Sequence, residues 1–376
     1  MSRPSTPQSR PGVVQLGTVA GVPVYVRTSW FLVAGLIAFL MAPRIEVVQP
    51  GLGLLAYVAG AAFAVLLYLS VLLHEISHAL AAKAYGMPVH SVELHSLGGV
   101  TEIAEEASTA TREAVIAVVG PLTSLAVGVA AYAAVPFTPS GLPAFAVQAL
   151  AAANLIIGVL NLLPGLPLDG GRVLRAIVWG TTGRQLTASL VAGWAGRTLA
   201  VLALGYPFLL AGVTGSQPQI IDMAFAVIIA AFLWTGATQA IGQARMRSRL
   251  PTLHARQLAR PAHAVLHDLP LAEAVRQAQH ARAGGLVVVT GDGSPVGVVS
   301  EQAVFATPDE RRPWVSVGSL ARSLEQGLLL SADLSGESLV RAMQDTPAGE
   351  YVLVDSDGSV VGLLVSADVD AAFSRA

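Results

Sequence analysis

LSVLLHEISHALAAKAYGM, residues 69–87, places two histidines and a glutamate inside a run that is otherwise nearly all apolar. His74, Glu75 and His78 form the pattern H-E-x-x-H. On an α-helix, residues i and i+4 lie about 40° apart around the axis, so both imidazoles point the same way. That geometry suits two ligands of one zinc ion. The intervening glutamate, about 100° round, can reach water beside the metal rather than the metal itself. The five-residue pattern alone also arises by chance. Its apolar setting argues otherwise, because ionisable groups at membrane depth are costly, rare and usually functional.

The rest of the chain supports such a setting. Of 376 residues, 53% are hydrophobic and only 12% charged, and the mean hydropathy is +0.63. Soluble domains carry roughly 25% charged residues. The net charge of -2 gives no reason to expect a nucleic-acid partner, and the absence of cysteine excludes disulfides and thiolate metal sites. Any metal must be held by His, Asp or Glu. The N-terminal MSRPSTPQSRPG is rich in Pro and Ser and is expected to be a flexible tail over 1–14, without the pattern of a cleaved signal.

Six apolar stretches are long enough to be spans, at roughly 29–43, 52–82, 113–136, 143–163, 187–213 and 219–242. Basic residues give their orientation. Arg3, Arg10 and Arg27 precede the first span, and Lys83 and Arg112 flank the loop after the second. Arg172, Arg175 and Arg184 follow the fourth, and Arg245, Arg247 and Arg249 follow the sixth. The opposite loops hold only Arg44. Both termini are therefore expected in the cytoplasm, in a multi-pass protein of the cell membrane.

A catalytic zinc needs a third protein ligand and one open position. The candidate is Asp169, in NLIIGVLNLLPGLPLDGGR (154–172), where a Pro-Gly-Pro break interrupts a span. Broken backbone at membrane depth is tolerated where it lines a polar cavity. A competing reading is that Asp169 simply caps the helix that begins DGGRVLRAIV.

HEISH in one span and N-x-x-P-x-x-x-x-D-G in a later one resemble the site-2 proteases, the intramembrane zinc metalloproteases of family M50. The second motif here is Asn161, Pro164, Asp169 and Gly170. Gly21-Val22-Pro23-Val24 before Trp30, Gly98-Gly99-Val100 after the motif helix, and Gly120-Pro121, read as opening the third span, add to the likeness, which covers residues 15–245. The resemblance implies that His74, His78 and Asp169 bind one zinc ion per chain and that Glu75 activates water. It also implies that Asn161, Pro164, Gly98 and Gly99 lie near substrate or an oxyanion. Six spans with a soluble tail resemble the subgroup of the stage IV sporulation protease, with no PDZ-like insert between spans. The expected substrates are single-span membrane proteins such as anti-sigma factors, pro-sigma factors or signal-peptide remnants.

GMPVHSVELHSLGGVTEIAEE, between spans two and three, alternates partly and reads as a re-entrant β-hairpin, with Glu102, Glu105 and Glu106 nearer water. An unwound substrate could pair with its exposed edge. His90 and His95 are read as surface or gate residues rather than ligands, and His95 departs from the mainly apolar residues of the family there.

The tail carries a repeat: GLVVVTGDGSPVGVVSEQAV from Gly285 matches EYVLVDSDGSVVGLLVSADV from Glu350. Each unit reads as helix, strand, Asp-Gly turn, strand and helix start. This resembles a soluble α/β tandem of CBS (cystathionine-β-synthase) domains over 251–376, divided at about 251–308 and 313–376. Such pairs often bind adenosine nucleotides and commonly form homodimers. The family's ligand pattern is split here. Repeat one has Ser300 but Ala303 at the acidic place, and repeat two has Asp368 but Val365 at the hydroxyl place. A regulatory or dimerising scaffold without nucleotide remains the alternative. For the whole chain the alternatives are a membrane transporter with a regulatory CBS pair, which predicts internal repeats among the spans that are not found, and an inactive scaffold.

Overall fold

The computed structural model describes residues 12–95, 98–103, 106–215, 217–250, 253–325 and 327–375. They divide into two compact units, up to Ala244 and from Arg245. Most of the expected tail lies outside the described residues, as does Glu105; the first strand already begins at Val13.

The first unit contains strands β1 (Val13–Val19) and β2 (Val22–Arg27), then helices α1 (Ser29–Val48) and α2 (Leu54–Ala84). Strands β3 (Val89–His95) and β4 (Gly98–Ile103) follow. The remaining helices are α3 (Ala110–Ala134), α4 (Leu142–Asn161), α5 (Asp169–Thr182), α6 (Gln185–Thr214) and α7 (Ile220–Arg249). All but α5 are long and apolar enough to span a membrane, which matches the six expected spans. Helix α2 has 31 residues, about 46 Å at 1.5 Å per residue, against a hydrocarbon core of about 30 Å. It is therefore longer than the apolar layer is thick, and in its last turn Lys83 Nζ donates to the Ala20 carbonyl at 2.5 Å.

The expected β3–β4 hairpin is part of a larger sheet. Its order is β1-β2-β3-β4, with β2 and β3 parallel and the two hairpins antiparallel. The sequence marks the β1–β2 segment only as a lead-in to the first span. Its alternation explains the strands: Val22, Val24 and Val26 are buried while Pro23 and Tyr25 between them are not. A strand's side chains alternate between faces, so this set forms one apolar face. Val22, Val24 and Val92 pack on Ala79 of α2, next to His78.

The chain between α4 and α5 is held from several sides. Leu166 N donates to Ala192 O of α6 at 3.0 Å. A Cβ on Gly196 would lie 1.8 Å from Leu166 O, so only glycine lets α6 approach this closely. Cβ atoms on Gly170 and Gly171 would strike the carbonyl groups of Leu162 and Gly165. The Gly-Gly pair after Asp169 thus lets α5 fold back against its own preceding loop.

In the second unit, a short helix α8 (Ala255–Leu258) precedes β5 (Ala262–Leu266), α9 (Leu271–His280), β6 (Gly285–Val289), β7 (Pro295–Val299) and α10 (Glu301–Ala306). After α11 (Val317–Leu320) and β8 (Arg322–Ser323), the same order recurs in β9 (Leu329–Ser331), α12 (Gly336–Asp345), β10 (Glu350–Val354), β11 (Val360–Val365) and α13 (Ser366–Arg375). β5 is parallel to β6 and β9 to β10, while β7 and β11 each return antiparallel. The Asp-Gly turns recur too, with Gly293 and Gly358 at φ 88° and 83°. Val287, Val289 and Val298 share a core with Val352 and Leu363, so the two repeats fold as one module.

Candidate metal centre

His74 and His78 lie on α2, one turn apart, 5% and 4% exposed. Asp169 is the first residue of α5 and comes to them across the bundle. His74 Nε2 is 3.2 Å from His78 Nε2, and Asp169 Oδ2 is 3.1 and 3.3 Å from the two nitrogens. The capping reading of Asp169 is not what is seen. The N-cap position of α5 is Leu168, without a side-chain cap, and the Asp169 carboxylate faces the imidazoles. Among the described residues, these three form the cluster of metal-ligating type. His90 and His95 are not in it.

The nitrogens facing away from Asp169 are both engaged. His78 Nδ1 donates to the Ile116 carbonyl at 2.6 Å, and His74 Nδ1 meets Ser124 Oγ at 2.9 Å. With protons on Nδ1, both Nε2 lone pairs point at the carboxylate oxygen. Three electron-rich atoms at this separation repel unless a cation or proton lies among them. Tetrahedral zinc with bonds of about 2.0–2.1 Å sets its donor atoms roughly 3.3 Å apart. The donor set and the measured edges fit zinc.

Helix α3 supplies the surroundings at a spacing of four. Ile116, Gly120 and Ser124 form one stripe, and α3 runs so that residue 116 meets His78 and residue 124 meets His74. Between them, a Cβ on Gly120 would lie 2.2 Å from His78 Nε2 and 2.6 Å from His74 Nε2. Gly120-Pro121 therefore does not open the third span. It lies inside α3, where the missing side chain makes room for the donor atoms.

Glu75 is 8% exposed and lies beneath β4. Thr101 Oγ1 is 2.8 Å from its carboxylate and 3.1 Å from its backbone carbonyl. A Cβ on Gly99 would lie 2.3 Å from Glu75 Cγ. Among the described residues β4 is an edge strand of its sheet, and its Gly99 and Thr101 lie against this carboxylate. Asn161 ends α4 and Pro164 is exposed in the following loop. One turn into α5, Arg172 Nε bonds Glu113 Oε1 at 3.1 Å, with Arg175 alongside at 3.6 Å. This ties the helix that carries Asp169 to α3.

Sequence reasoning does not single out Ser124, Thr101 or the Glu113–Arg172 pair. Ser124 leaves a usable signal, a hydroxyl four residues after Gly120 in an apolar span. Ser124→Ala is expected to lower zinc affinity by about 10- to 100-fold, as loss of a partner to a ligating histidine does. Metal titration of the purified protein measures it.

Residues 62–144 and 140–205 match the family model described as Peptidase family M50. The chain is 31% identical over 372 residues to "Putative zinc metalloprotease Rip3" of Mycobacterium tuberculosis, covering 95% of this chain and 91% of that one. The chain belongs to peptidase family M50. It is a multi-pass membrane metalloprotease. It is also 25% identical over 315 residues to "Zinc metalloprotease MJ0392" of Methanocaldococcus jannaschii, covering 82% of this chain and 84% of that one. The solved site-2 protease from Methanocaldococcus jannaschii aligns with 61% of this chain and 95% of its own, at 24% identity and a TM-score of 0.43. Residues 255–307 match the CBS domain model, which covers the first repeat; the recurring strand order described above extends the likeness to the second. This membership sets aside the transporter alternative.

The two residues expected at a nucleotide are both engaged. Ser300 Oγ accepts from Ala303 N at 3.2 Å and caps α10. Asp368 pairs with Arg260 through Nε and Nη2 at 2.6 and 2.9 Å.

Proposed function

We propose that this chain is an intramembrane zinc endopeptidase acting on single-span membrane proteins, with both termini in the cytoplasm. The observation that carries the reading is the triangle of His74, His78 and Asp169 donors beside a buried glutamate, all within or against apolar helices. In this reading those three residues hold zinc. When bound, zinc supplies Lewis acidity that polarises a carbonyl and lowers the pKa of water to near 7. Glu75 takes a proton from water and delivers it to the leaving amine. Thr101 holds the Glu75 carboxylate in place for that transfer. Ser124 and Ile116 orient the imidazoles.

A helical substrate hides its peptide carbonyls, so it must unwind before it is cut. The free edge of β4, at Gly98 and Gly99, offers backbone groups to an extended segment directly above Glu75. Asn161 and Pro164, where α4 gives way to the loop before Asp169, are the proposed contacts for substrate or oxyanion. The basic residues at one set of span ends support cytoplasmic termini. With α2 ending at Ala84, His78 and His74 lie about 9 and 15 Å from that end at 1.5 Å per residue, which under this orientation supports a site nearer the cytoplasm. Anti-sigma factors, pro-sigma factors and signal-peptide remnants have the single-span form this site would take.

The test is the full chain in liposomes with a single-span substrate. A zinc chelator should abolish cleavage, and added zinc should restore it. Cleavage that survives complete removal of metal would overturn the reading. For the CBS module we propose regulation, substrate docking or homodimerisation. Calorimetry with AMP, ADP and ATP separates regulation by nucleotide from the other two roles. Heat that vanishes in Asp368→Ala assigns nucleotide regulation, and no heat with any of them assigns docking or dimerisation.

A further inference from the structure

A cavity of about 280 Å³ lies between the sheet and the first two spans. Val26, Leu94, Trp30, Tyr68, Leu69 and Leu72 form much of its wall. The lining is almost wholly apolar. Two side chains with polar atoms, Tyr68 and Trp30, border it, and the Trp30 indole Nε1 is a buried donor with no hydrogen-bond partner among the described residues. Water is a poor occupant, because a buried water needs two to four polar partners, and apolar cavities of about 150 Å³ stay dry yet hold a benzene ring. The space therefore suits several methylene groups of one chain.

Its rim shows where such a chain comes from. Phe31, Leu69 and Val65 are 58%, 51% and 45% exposed. They belong to α1 and α2, both of them spans, so this exposed surface faces lipid. Trp30 is the second residue of α1, at a span end, where indoles are enriched because one edge stays apolar while the N–H finds an interfacial acceptor. We propose that the cavity binds one acyl chain of a bilayer phospholipid, with a small turn of the Trp30 ring bringing its N–H to the ester carbonyl at the head of that chain.

A substrate side chain is the other apolar candidate. It is disfavoured because no residue of β4, the edge proposed to receive substrate, lines the cavity. The site nevertheless borders the catalytic region. Leu72 lies three residues before Glu75 on α2, and Leu94 pairs with Gly99 above Glu75. An acyl chain in place supports both walls.

The experiment uses the full chain in phosphatidylcholine liposomes doped with a phosphatidylcholine that carries a photoactivatable diazirine on one acyl chain. Val26, Tyr68 and Leu94 are 6%, 7% and 3% exposed, so adducts there report entry rather than contact with the outer surface. Adducts are expected at these residues at several times the level seen at buried residues off the cavity, such as Ala64 and Ile116. Leu72→Trp, which fills the space, should remove them while adducts at the exposed Leu202 and Phe225 persist. Trp30→Phe keeps the apolar wall and removes the donor. It should lower cavity labelling roughly fivefold, the worth of one hydrogen bond, with an ester-linked probe and leave labelling by an ether-linked probe unchanged. Adducts confined to exposed positions would overturn the proposal, as would equal loss with both probes. A single-span substrate peptide bearing a photoreactive leucine that labels Val26 and Leu94 in place of lipid would assign the cavity to substrate and overturn it too.

Discussion

Glu75→Gln should lower peptide-bond cleavage by about 10²- to 10⁴-fold, the range that a positioned general base contributes, while zinc content stays at one ion per chain. The substitution keeps the shape of the side chain and an oxygen that can accept from Thr101, which sits 2.8 Å from the carboxylate. It removes only the capacity to take a proton. The atoms proposed to hold zinc belong to other residues, so metal binding should be undisturbed. Cleavage in liposomes and metal content on the same preparation give the two numbers. Near-normal cleavage with metal bound would show that Glu75 is not the base. Low cleavage with metal lost would instead report a collapsed site, and a parallel loss in His78→Ala would identify that failure.

Gly120→Ala is expected to cost about 100-fold or more in zinc affinity, although it adds a single methyl group and touches no ligand chemically. The new carbon would lie 2.2 Å from His78 Nε2, 2.5 Å from His78 Cε1 and 2.6 Å from His74 Nε2. Neither ring can simply swing away, because Ile116 O and Ser124 Oγ hold the two Nδ1 atoms. Either the imidazoles leave the shared point or α3 moves off α2. A misplacement of about 1 Å costs on the order of 10²-fold in a geometry-dependent site, and zinc ligation demands comparable precision. Gly35→Ala on α1 is the matched control, since its Cβ would meet nothing within 4 Å. It should leave zinc binding and activity unchanged. Metal titration of both variants decides, and normal affinity in Gly120→Ala would mean that α3 packs less closely on the histidines than these distances imply.

These two residues differ in how legible they are in the chain alone. Glu75 announces itself, because a carboxylate between two histidines at helical spacing in an apolar run has little use apart from metal-dependent chemistry. Gly120 does not. Its Gly-Pro pair suggests a helix start, since proline is common in the first turn of a helix, whereas Pro121 lies well inside α3. The β1–β2 hairpin is legible in principle, since its valines alternate, but it is short and precedes a strong span, and its pairing with β3 is not evident from the chain. Such a parallel pairing spans more than sixty positions along the chain and leaves no local signature.

The amino-acid sequence by itself determined that two histidines stand one turn apart with a glutamate between them, the apolar medium around them and the repeat in the soluble unit. Each of these follows from local periodicity or composition, which neighbouring residues carry on their own. Only the tertiary structure decided that Asp169 faces the histidines rather than capping α5 and that Ser124 and Ile116 orient the rings. It also decided that Thr101 reaches Glu75 from a strand edge and that an indole without a partner borders a lipid-facing cavity. Those outcomes depend on which faces of distant segments meet. That is set by packing at distances of a few ångströms, where a single absent Cβ decides whether three donor atoms can share one point.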